Sequence, residues 1–402
     1  MSPAEITRVG IVGAGTMGAG IAQLACMAGY ETFLYELDTR ALARGMDRLR
    51  TALERGVERE RWSQAEVEKA LGRVHSDTII EVLARCDLII EAAPEELALK
   101  RDLFDRLARV CRPEAVLATN TSSLSVTAIA AEVPRPNRVV GMHFFNPPAL
   151  MRLVEVVAGD ESDEESLGHA TTLARRMGRQ PIRARDAIGF VANRCARPFT
   201  LEALRMLGEE VASHEEIDRI CRLGGGFRMG PFELMDLIGV DVNFGVARSF
   251  HEQSFGEPRW RPHQIQAKLV DSGRLGRKSG RGFYTYEKGQ PHREQDPEVE
   301  ADPPILDDDE LLERVAGPLG PEVLGRIGAG IANEACFALG EGVASADDIN
   351  TAMQLGFNWP LGPLEWGNRI GWARALGRLE RLRELHGEGY RPAPVLRERA
   401  QG

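Results

Sequence analysis

The chain has no apolar run near the ~20 residues that a membrane-spanning helix requires, and its six cysteines (26, 86, 111, 195, 221 and 336) form no C-x-x-C pair. The first absence argues against a helical membrane protein. The second argues against a disulfide framework: scattered thiols read as reduced, mostly buried side chains of a cytoplasmic protein, and no metal site is expected. Positive charge is also short. Fifty lysines and arginines face 60 aspartates and glutamates, a formal net charge of −10. That balance excludes a general nucleic-acid binder but leaves room for a local basic patch against an anionic ligand. The first strand is entered by Arg8, which leaves no room for a cleaved signal peptide. With 43% hydrophobic and 27% charged residues in 402, the chain can bury a large core divided among roughly two to four domains.

What is present is most concentrated at the start. Arg8 to Val12 has strand character, Gly13-Ala14-Gly15-Thr16-Met17-Gly18 follows, an apolar helical stretch runs through Ala28, and a second strand spans Thr32 to Tyr35. Glu36 closes the unit, 23 residues after Gly13. Gly13 suits a tight turn, Gly15 lets backbone approach a pyrophosphate, and Gly18 lets helix pack on strand. The helix end that begins with Thr16 and Met17 offers free N–H groups and a positive dipole end to phosphates. A carboxylate ending the second strand accepts ribose hydroxyls and repels a 2′-phosphate, so NAD is expected rather than NADP.

Strand and helix patterns alternate to about residue 186, the signature of a doubly wound α/β sheet. From there long helical stretches with Gly-Pro and Gly-Gly breaks take over. Residues 286–306 are polar, acidic and Pro-containing, which suits an exposed linker. Positions 200–239 and 332–371 then align without a gap at a constant offset of 132, with 16 of 40 identical. The reading is a duplicated helical unit whose copies pack across a pseudo-two-fold, as the subunits of a homodimer would.

Two segments carry candidate chemistry. Asn120-Thr121-Ser122-Ser123 follows a buried-type strand and lies at the sheet's carboxyl edge, where open α/β sheets bind ligands. Gly141 to Pro148 contains His143, and Leu153 to Val157 contains Glu155 among apolar neighbours. A carboxylate reaching the imidazole would orient it and stabilise its protonated form, which suits a base that takes a hydroxyl proton. From spacing alone, a single histidine beside aromatics is more often a satisfied structural residue.

The strings GAGTMGAGIA, EAAPEELALK, NTSSLSVT, GMHFFNPP, LVEVV, GFVANR, MGPFELMDLIG and GRKSGRGFY occur in that order between Arg8 and Tyr286. In this the chain resembles the L-3-hydroxyacyl-CoA (3-hydroxybutyryl-CoA) dehydrogenase family. The resemblance, which runs to about Tyr286, implies a Rossmann-type doubly wound sheet domain followed by an all-α domain. The residue patterns and the repeat set the expected bounds: 1–186, 187–285, the linker 286–306, and a second, structural copy over 307–402. It implies His143 as general base, Glu155 as its partner, and Ser122 and Asn193 as hydrogen-bonding partners of substrate oxygens. It further implies that Glu36, Glu95, Lys100, Ser122, Asn146 and Lys278 line the NAD site. Glu36 replaces the Asp of some members and keeps the charge. Ile188 stands where the family usually has Pro, at the domain junction.

The expected reaction is oxidation of a (3S)-3-hydroxyacyl-CoA to a 3-ketoacyl-CoA. Two other readings are an NAD-dependent dehydrogenase of a free hydroxy or sugar acid, and a non-catalytic NAD-binding structural protein. Arg44, Arg48, Arg55 and Arg59 recur at spacings of four, seven and four, one face of a helix over 40–60. That face could hold the CoA phosphates, with Arg55 and Arg59 as the nominated contacts, or be a solvated face pairing with Glu54 and Glu58. The family's CoA-contacting Ser in this stretch is Ala52 here. Neither a nucleic-acid nor a membrane partner is expected. The assembly expected is a monomer with an intrachain pseudo-dimer, or a weak homodimer through another face.

Overall fold

A computed structural model describes residues 6–297 and 302–402. It divides into two units, residues 1–190 and 191–402, each built around its own core.

The first unit carries one eight-stranded sheet: β1 (Arg8–Val12), β2 (Glu31–Tyr35), β3 (Val74–Asp77), β4 (Leu88–Glu91), β5 (Val116–Thr119), β6 (Val139–Phe144), β7 (Leu153–Ala158) and β8 (Gln180–Arg185). Their spatial order is β3-β2-β1-β4-β5-β6-β7-β8. Strands β4, β5 and β6 are buried at every position, as strands covered on both faces must be, and this is why they read as continuous apolar runs. The order reverses direction between β1 and β4. That is the switch point where the carboxyl ends of two parallel strands leave a crevice for a dinucleotide. All pairings are parallel except β6 with β7. Only residues 145–152 join that pair, too few for the crossover that parallel strands need.

Helix α1 (Thr16–Met27) follows β1, and α2 (Thr39–Glu58) follows β2. Asp38 caps α2 by accepting a hydrogen bond from the Ala41 N–H at 2.7 Å. Leu42, Leu49 and Leu53 form its buried face, which leaves the arginines of the same helix to solvent.

The second unit is almost wholly helical, and its two halves repeat one set of local interactions. Ser213 and Ser345 cap corresponding helices, accepting from the amides of Glu216 and Asp348. Glu233 and Glu365 each fold back to the amide of the Gly that precedes the Gly-Pro turn's proline, at 3.3 and 2.6 Å. Asp218 and Asn350 take the amides of Phe232 and Leu364. Every pair is separated by 132 residues. The long helices Ala192–Gly208 and Gly320–Gly340 pack together and exchange buried ion pairs at the same offset. Arg194 reaches Glu334 at 2.7 Å and Glu341 at 2.6 Å, and Arg326 reaches Glu202 at 2.6 Å and Glu209 at 2.7 Å.

The units divide at Phe190, within a few residues of the expected 186. One reading from sequence is corrected. The segment 286–306 is not an exposed linker along its length. Tyr286–Glu287 pairs with Gln290–Pro291, Asp296 is ion-paired to Arg222 at 2.6 Å, and Ile305 and Leu306 are buried. Asp296 is held by an arginine 74 residues away in sequence. Residues 298–301 of the segment lie outside the described residues.

Candidate active site

The glycine loop after β1 shows three distinct constraints. Gly13 has φ +94°, and a Cβ there would lie 2.7 Å from the Ala92 carbonyl oxygen. At Gly18 a Cβ would lie 1.8 Å from the Gly13 carbonyl oxygen, whereas at Gly15 it would meet nothing within 4 Å. Two glycines are therefore required by the backbone itself, and the third keeps open the space above the α1 N-terminus. That terminus has no side-chain cap and no acid in its first turn, so the amides that begin with Thr16 and Met17 remain available to an anion. Glu36, half-buried at the end of β2, accepts a hydrogen bond from the Ala14 amide at 3.0 Å. The carboxylate is thus fixed beside the glycine loop. An open cradle, an uncapped helix end and a fixed acid suit the pyrophosphate and ribose of NAD.

Across the crevice, β4 ends in Glu91, which is 0% exposed and bonded to Lys100 at 2.6 Å, the Thr119 hydroxyl at 2.6 Å and the Ala93 amide at 2.7 Å. Lys100 is 1% exposed and also lies 3.3 Å from Glu95, so it is neither an ordinary surface lysine nor a free cation. Glu95 in turn accepts from the Thr121 hydroxyl at 2.6 Å and from the amides of Ser122 and Ser123 at 2.9 and 3.1 Å. Burial alone would raise its pKa. The Thr121 hydroxyl, the Lys100 charge and the Ser122 and Ser123 bonds outweigh burial and hold it below the ordinary 4.5. The chain of contacts Glu91–Lys100–Glu95 thereby fixes the loop that carries Ser122. Glu91 was not singled out from sequence, although a carboxylate inside a fully apolar strand always needs a partner. Asn120, the first residue of the candidate segment, accepts from the Phe144 amide at 2.8 Å and ties the β5 end to β6.

The β6–β7 register sets His143 directly opposite Glu155. Nδ1 lies 2.6 Å from Oε2, with His143 6% and Glu155 0% exposed. Phe145 packs on the imidazole with ring centroids 4.5 Å apart. The pair arises from the one antiparallel step in the sheet, since opposed residues on neighbouring strands are within side-chain reach. Asn146 follows, exposed at the surface.

A cavity of about 630 Å³ opens between α1 and α2, with Pro147 and Pro148 on its wall. Arg44, Arg48 and Arg55 line it, and Arg59 does not. Among the described residues, none of Arg44, Arg55 and Arg59 is ion-paired to Glu54 or Glu58, so the solvated-pair reading of this face is not what the structure shows. Asn193 and Lys278 belong to the second unit. Asn193 lies in the first turn of the Ala192–Gly208 helix, and Lys278 is paired with Asp241 at 2.6 Å.

A dinucleotide crevice at a topological switch point, with an acid at the ribose position and a buried imidazole–carboxylate pair at the same sheet edge, is the architecture of an NAD-dependent dehydrogenase. The family model described as the NAD-binding domain of 3-hydroxyacyl-CoA dehydrogenase matches residues 8–187, and that of its C-terminal domain matches 189–286 and 323–401. The 3-hydroxyadipyl-CoA dehydrogenase of Escherichia coli K12 is 39% identical over 98% of this chain and 98% of its own. A probable 3-hydroxybutyryl-CoA dehydrogenase of Bacillus subtilis is 40% identical over 71% of this chain and 99% of its own. The crystal structure of a 3-hydroxybutyryl-CoA dehydrogenase from E. coli K12 superposes with a TM-score of 0.89 at 39% identity, covering 99% of this chain and 98% of that one. The chain belongs to the 3-hydroxyacyl-CoA dehydrogenase family, and its reaction is the NAD-dependent oxidation of 3-hydroxyacyl-CoA thioesters. Among the described residues no helix is long and apolar enough to cross a membrane.

Proposed function

We propose that His143 is the general base of this oxidation and Glu155 its partner, acting on short-chain (3S)-3-hydroxyacyl-CoA substrates such as 3-hydroxybutyryl-CoA. The observation that carries this reading is the buried 2.6 Å contact between Nδ1 and Glu155 Oε2. A carboxylate only accepts, so Nδ1 donates and Nε2 is left as the basic nitrogen. Nε2 takes the C3 hydroxyl proton, and the Glu155 charge stabilises the resulting imidazolium in a site with little water to do so. NAD, when bound, supplies the acceptor for the hydrogen leaving C3. Ser122 and Asn193 hold the C3 oxygen and the thioester carbonyl. The Glu95 bonds to the amides of Ser122 and its neighbour, which fix this loop, support that role. Glu36, the glycine loop, Glu95, Lys100, Asn146 and Lys278 form the NAD site in this reading, with Lys100 acting through the two glutamates it holds.

The arginine-lined cavity beside α2 suits the 3′-phosphate and pyrophosphate of CoA, with Arg44, Arg48 and Arg55 as the cations. Arg59 is withdrawn from that set. We read the second helical copy as architectural: its Arg–Glu exchange with the first copy fills, within one chain, the face that a second subunit would cover, so one chain carries one active site. All six cysteines are free and buried, which suits a reducing compartment, and we place the enzyme in the cytoplasm.

The test is His143→Gln assayed with 3-hydroxybutyryl-CoA and NAD+. A drop in kcat of at least ~100-fold with NADH affinity little changed is expected, since general-base catalysis is worth about 10²–10⁴. Glu155→Gln acts in the same direction and less than additively. Near-normal turnover by His143→Gln would place the base elsewhere.

A further inference from the structure

Helix α1 presents Thr16, Ala19, Gly20 and Gln23 to the cavity between α1 and α2, one stripe at helical spacing. Gln23 stands apart in that stripe. It is 5% exposed, and its backbone carbonyl accepts from the Cys26 thiol at 3.4 Å. Among the described residues no protein group pairs with its side-chain amide. A carboxamide taken out of water and left unpaired is costly, so packing does not account for a glutamine here. Its partner has to come from whatever occupies the cavity.

The two walls of that cavity differ in chemistry. The α2 wall supplies charge through Arg44, Arg48 and Arg55, and the only lining acid, Asp47, lies 3.8 Å from Arg50. The α1 wall is small and mostly apolar, and it packs closely on Pro148: a Cβ on Gly20 would lie 3.0 Å from Pro148 Cγ. Pro147 and Pro148 follow His143 by four and five residues, just past the end of β6. Gln23 therefore belongs to the wall that continues toward the catalytic strand, and the cations belong to the other.

We propose that Gln23 is a specificity residue for the pantetheine arm of CoA, its carboxamide pairing with one of the arm's secondary amides. This rests on the reading above that the arginines of this cavity hold the CoA phosphates. The arm joins the pyrophosphate to the thioester sulfur, so a substrate with its phosphates on α2 and its thioester at His143 runs along the α1–Pro148 wall. A secondary amide offers one N–H and one C=O, and a carboxamide can answer either or both. The rest of the arm is largely methylene and methyl carbon, which suits Ala19, Gly20 and the two prolines. Glutamine can also read the edge of an adenine. In CoA, however, the adenine lies beyond the phosphates, on the side away from the thioester, which favours the arm.

The experiment measures competition against 3-hydroxybutyryl-CoA in the full-length enzyme by two probes: free CoA, and adenosine 3′,5′-bisphosphate, which has the adenine and 3′-phosphate but no arm. Gln23→Met, similar in length and without the amide, is expected to raise KM for the thioester and Ki for CoA by about 10-fold and to leave Ki for the bisphosphate unchanged. Its ligand-free Tm should be no lower than that of the wild type, because the amide it loses has no protein partner. Gln23→Asn, which draws the same groups back by one methylene, should raise Ki for CoA alone and serves if the methionine variant does not fold. An equal rise in Ki for both probes would put Gln23 on the adenine, and a lowered Tm with KM and Ki intact would make it structural. Either result overturns the proposal while the CoA reading of the cavity stands. If the double variant Arg48→Ala/Arg55→Ala leaves Ki for CoA unchanged, CoA does not occupy this cavity, and that reading fails together with this proposal.

Discussion

Glu334→Gln tests the intrachain pseudo-dimer at its most loaded point. Glu334 is 2% exposed and takes Arg194 at 2.7 Å through one oxygen and Arg259 at 2.6 Å through the other. An amide keeps the shape but removes the charge that two buried guanidinium groups share. Breaking a buried ion pair from one side costs about 3–5 kcal/mol, because the remaining charge is left uncompensated. Two carboxylates soften this: Glu341 stays on Arg194, and Glu257 lies 3.2 Å from Arg259. The lower end, ~3 kcal/mol, is therefore expected. For a unit of this size that is about 6–12 °C in Tm. It is also a large share of the 5–15 kcal/mol typical of a domain.

The assay is urea unfolding followed by tryptophan fluorescence. Four of the five tryptophans (260, 359, 366 and 372) lie in the second unit, so the signal reports chiefly on the helices in question. The symmetry makes the prediction sharper. Glu202→Gln removes the matching partner of Arg326 and an acceptor of the Tyr390 hydroxyl, and it should cost a similar amount. Glu341→Gln, whose side chain is 49% exposed, should cost less than about 1 kcal/mol. If Glu334→Gln loses under ~1 kcal/mol, or if Glu202→Gln loses nothing while Glu334→Gln does, the exchanged pairs are not what holds the two copies together.

Cofactor choice follows from Glu36: NAD+ should be preferred over NADP+ by at least ~10-fold in kcat/KM, and equal use of both would refute the role assigned to that carboxylate. Gly18→Ala should weaken NADH binding by at least ~10-fold, because its Cβ would lie 1.8 Å from the Gly13 carbonyl oxygen and the loop must move; titration of NADH fluorescence decides this. The lowered pKa of Glu95 means that the folded state prefers the carboxylate. Its stabilisation is present above the ordinary 4.5 and is lost as pH falls through the lowered value. The Tm gap between wild type and Glu95→Gln should then stay constant from about pH 5 to 7 and close at lower pH; a gap that widens on acidification would reverse the assignment.

The parts legible in the sequence were those fixed by local chemistry. The glycine spacing and the acid at the end of β2 are dictated by backbone geometry within 30 residues, and the central strands are apolar because both their faces are covered. The strands that escaped notice are at the sheet edges. β3 reads VHSD and β8 reads QPIRAR, polar sequences typical of strands with one side unpaired. His143 and Glu155 could be suspected as partners, but only the antiparallel register of β6 and β7 sets them face to face. Glu91 with Lys100 and Arg222 with Asp296 depend on burial and on contacts distant in sequence, which no local pattern encodes. Arg197 is the extreme case: in sequence it is one arginine among several on a helix, and it is distinguished only by burial without a carboxylate partner among the described residues.

On the proposed role of Asn193, the two helical copies differ at one decisive position. At position 325 the second copy has glycine, and a Cβ there would lie 2.3 Å from the guanidinium carbon of Arg378. That arginine is held in place by Glu322, at 2.9 Å from its carboxylate and 3.1 Å from its carbonyl oxygen. The space beside Gly325 is therefore filled in the second copy by an ion pair between Glu322 of the same helix and Arg378 of the Trp372–His386 helix. Restoring asparagine at 325 would displace Arg378 instead of creating a second substrate contact. The second copy has kept the Arg–Glu exchange and the Gly-Pro turn, and at the position that matches Asn193 it has closed the space with Arg378, which is what the proposed architectural role requires.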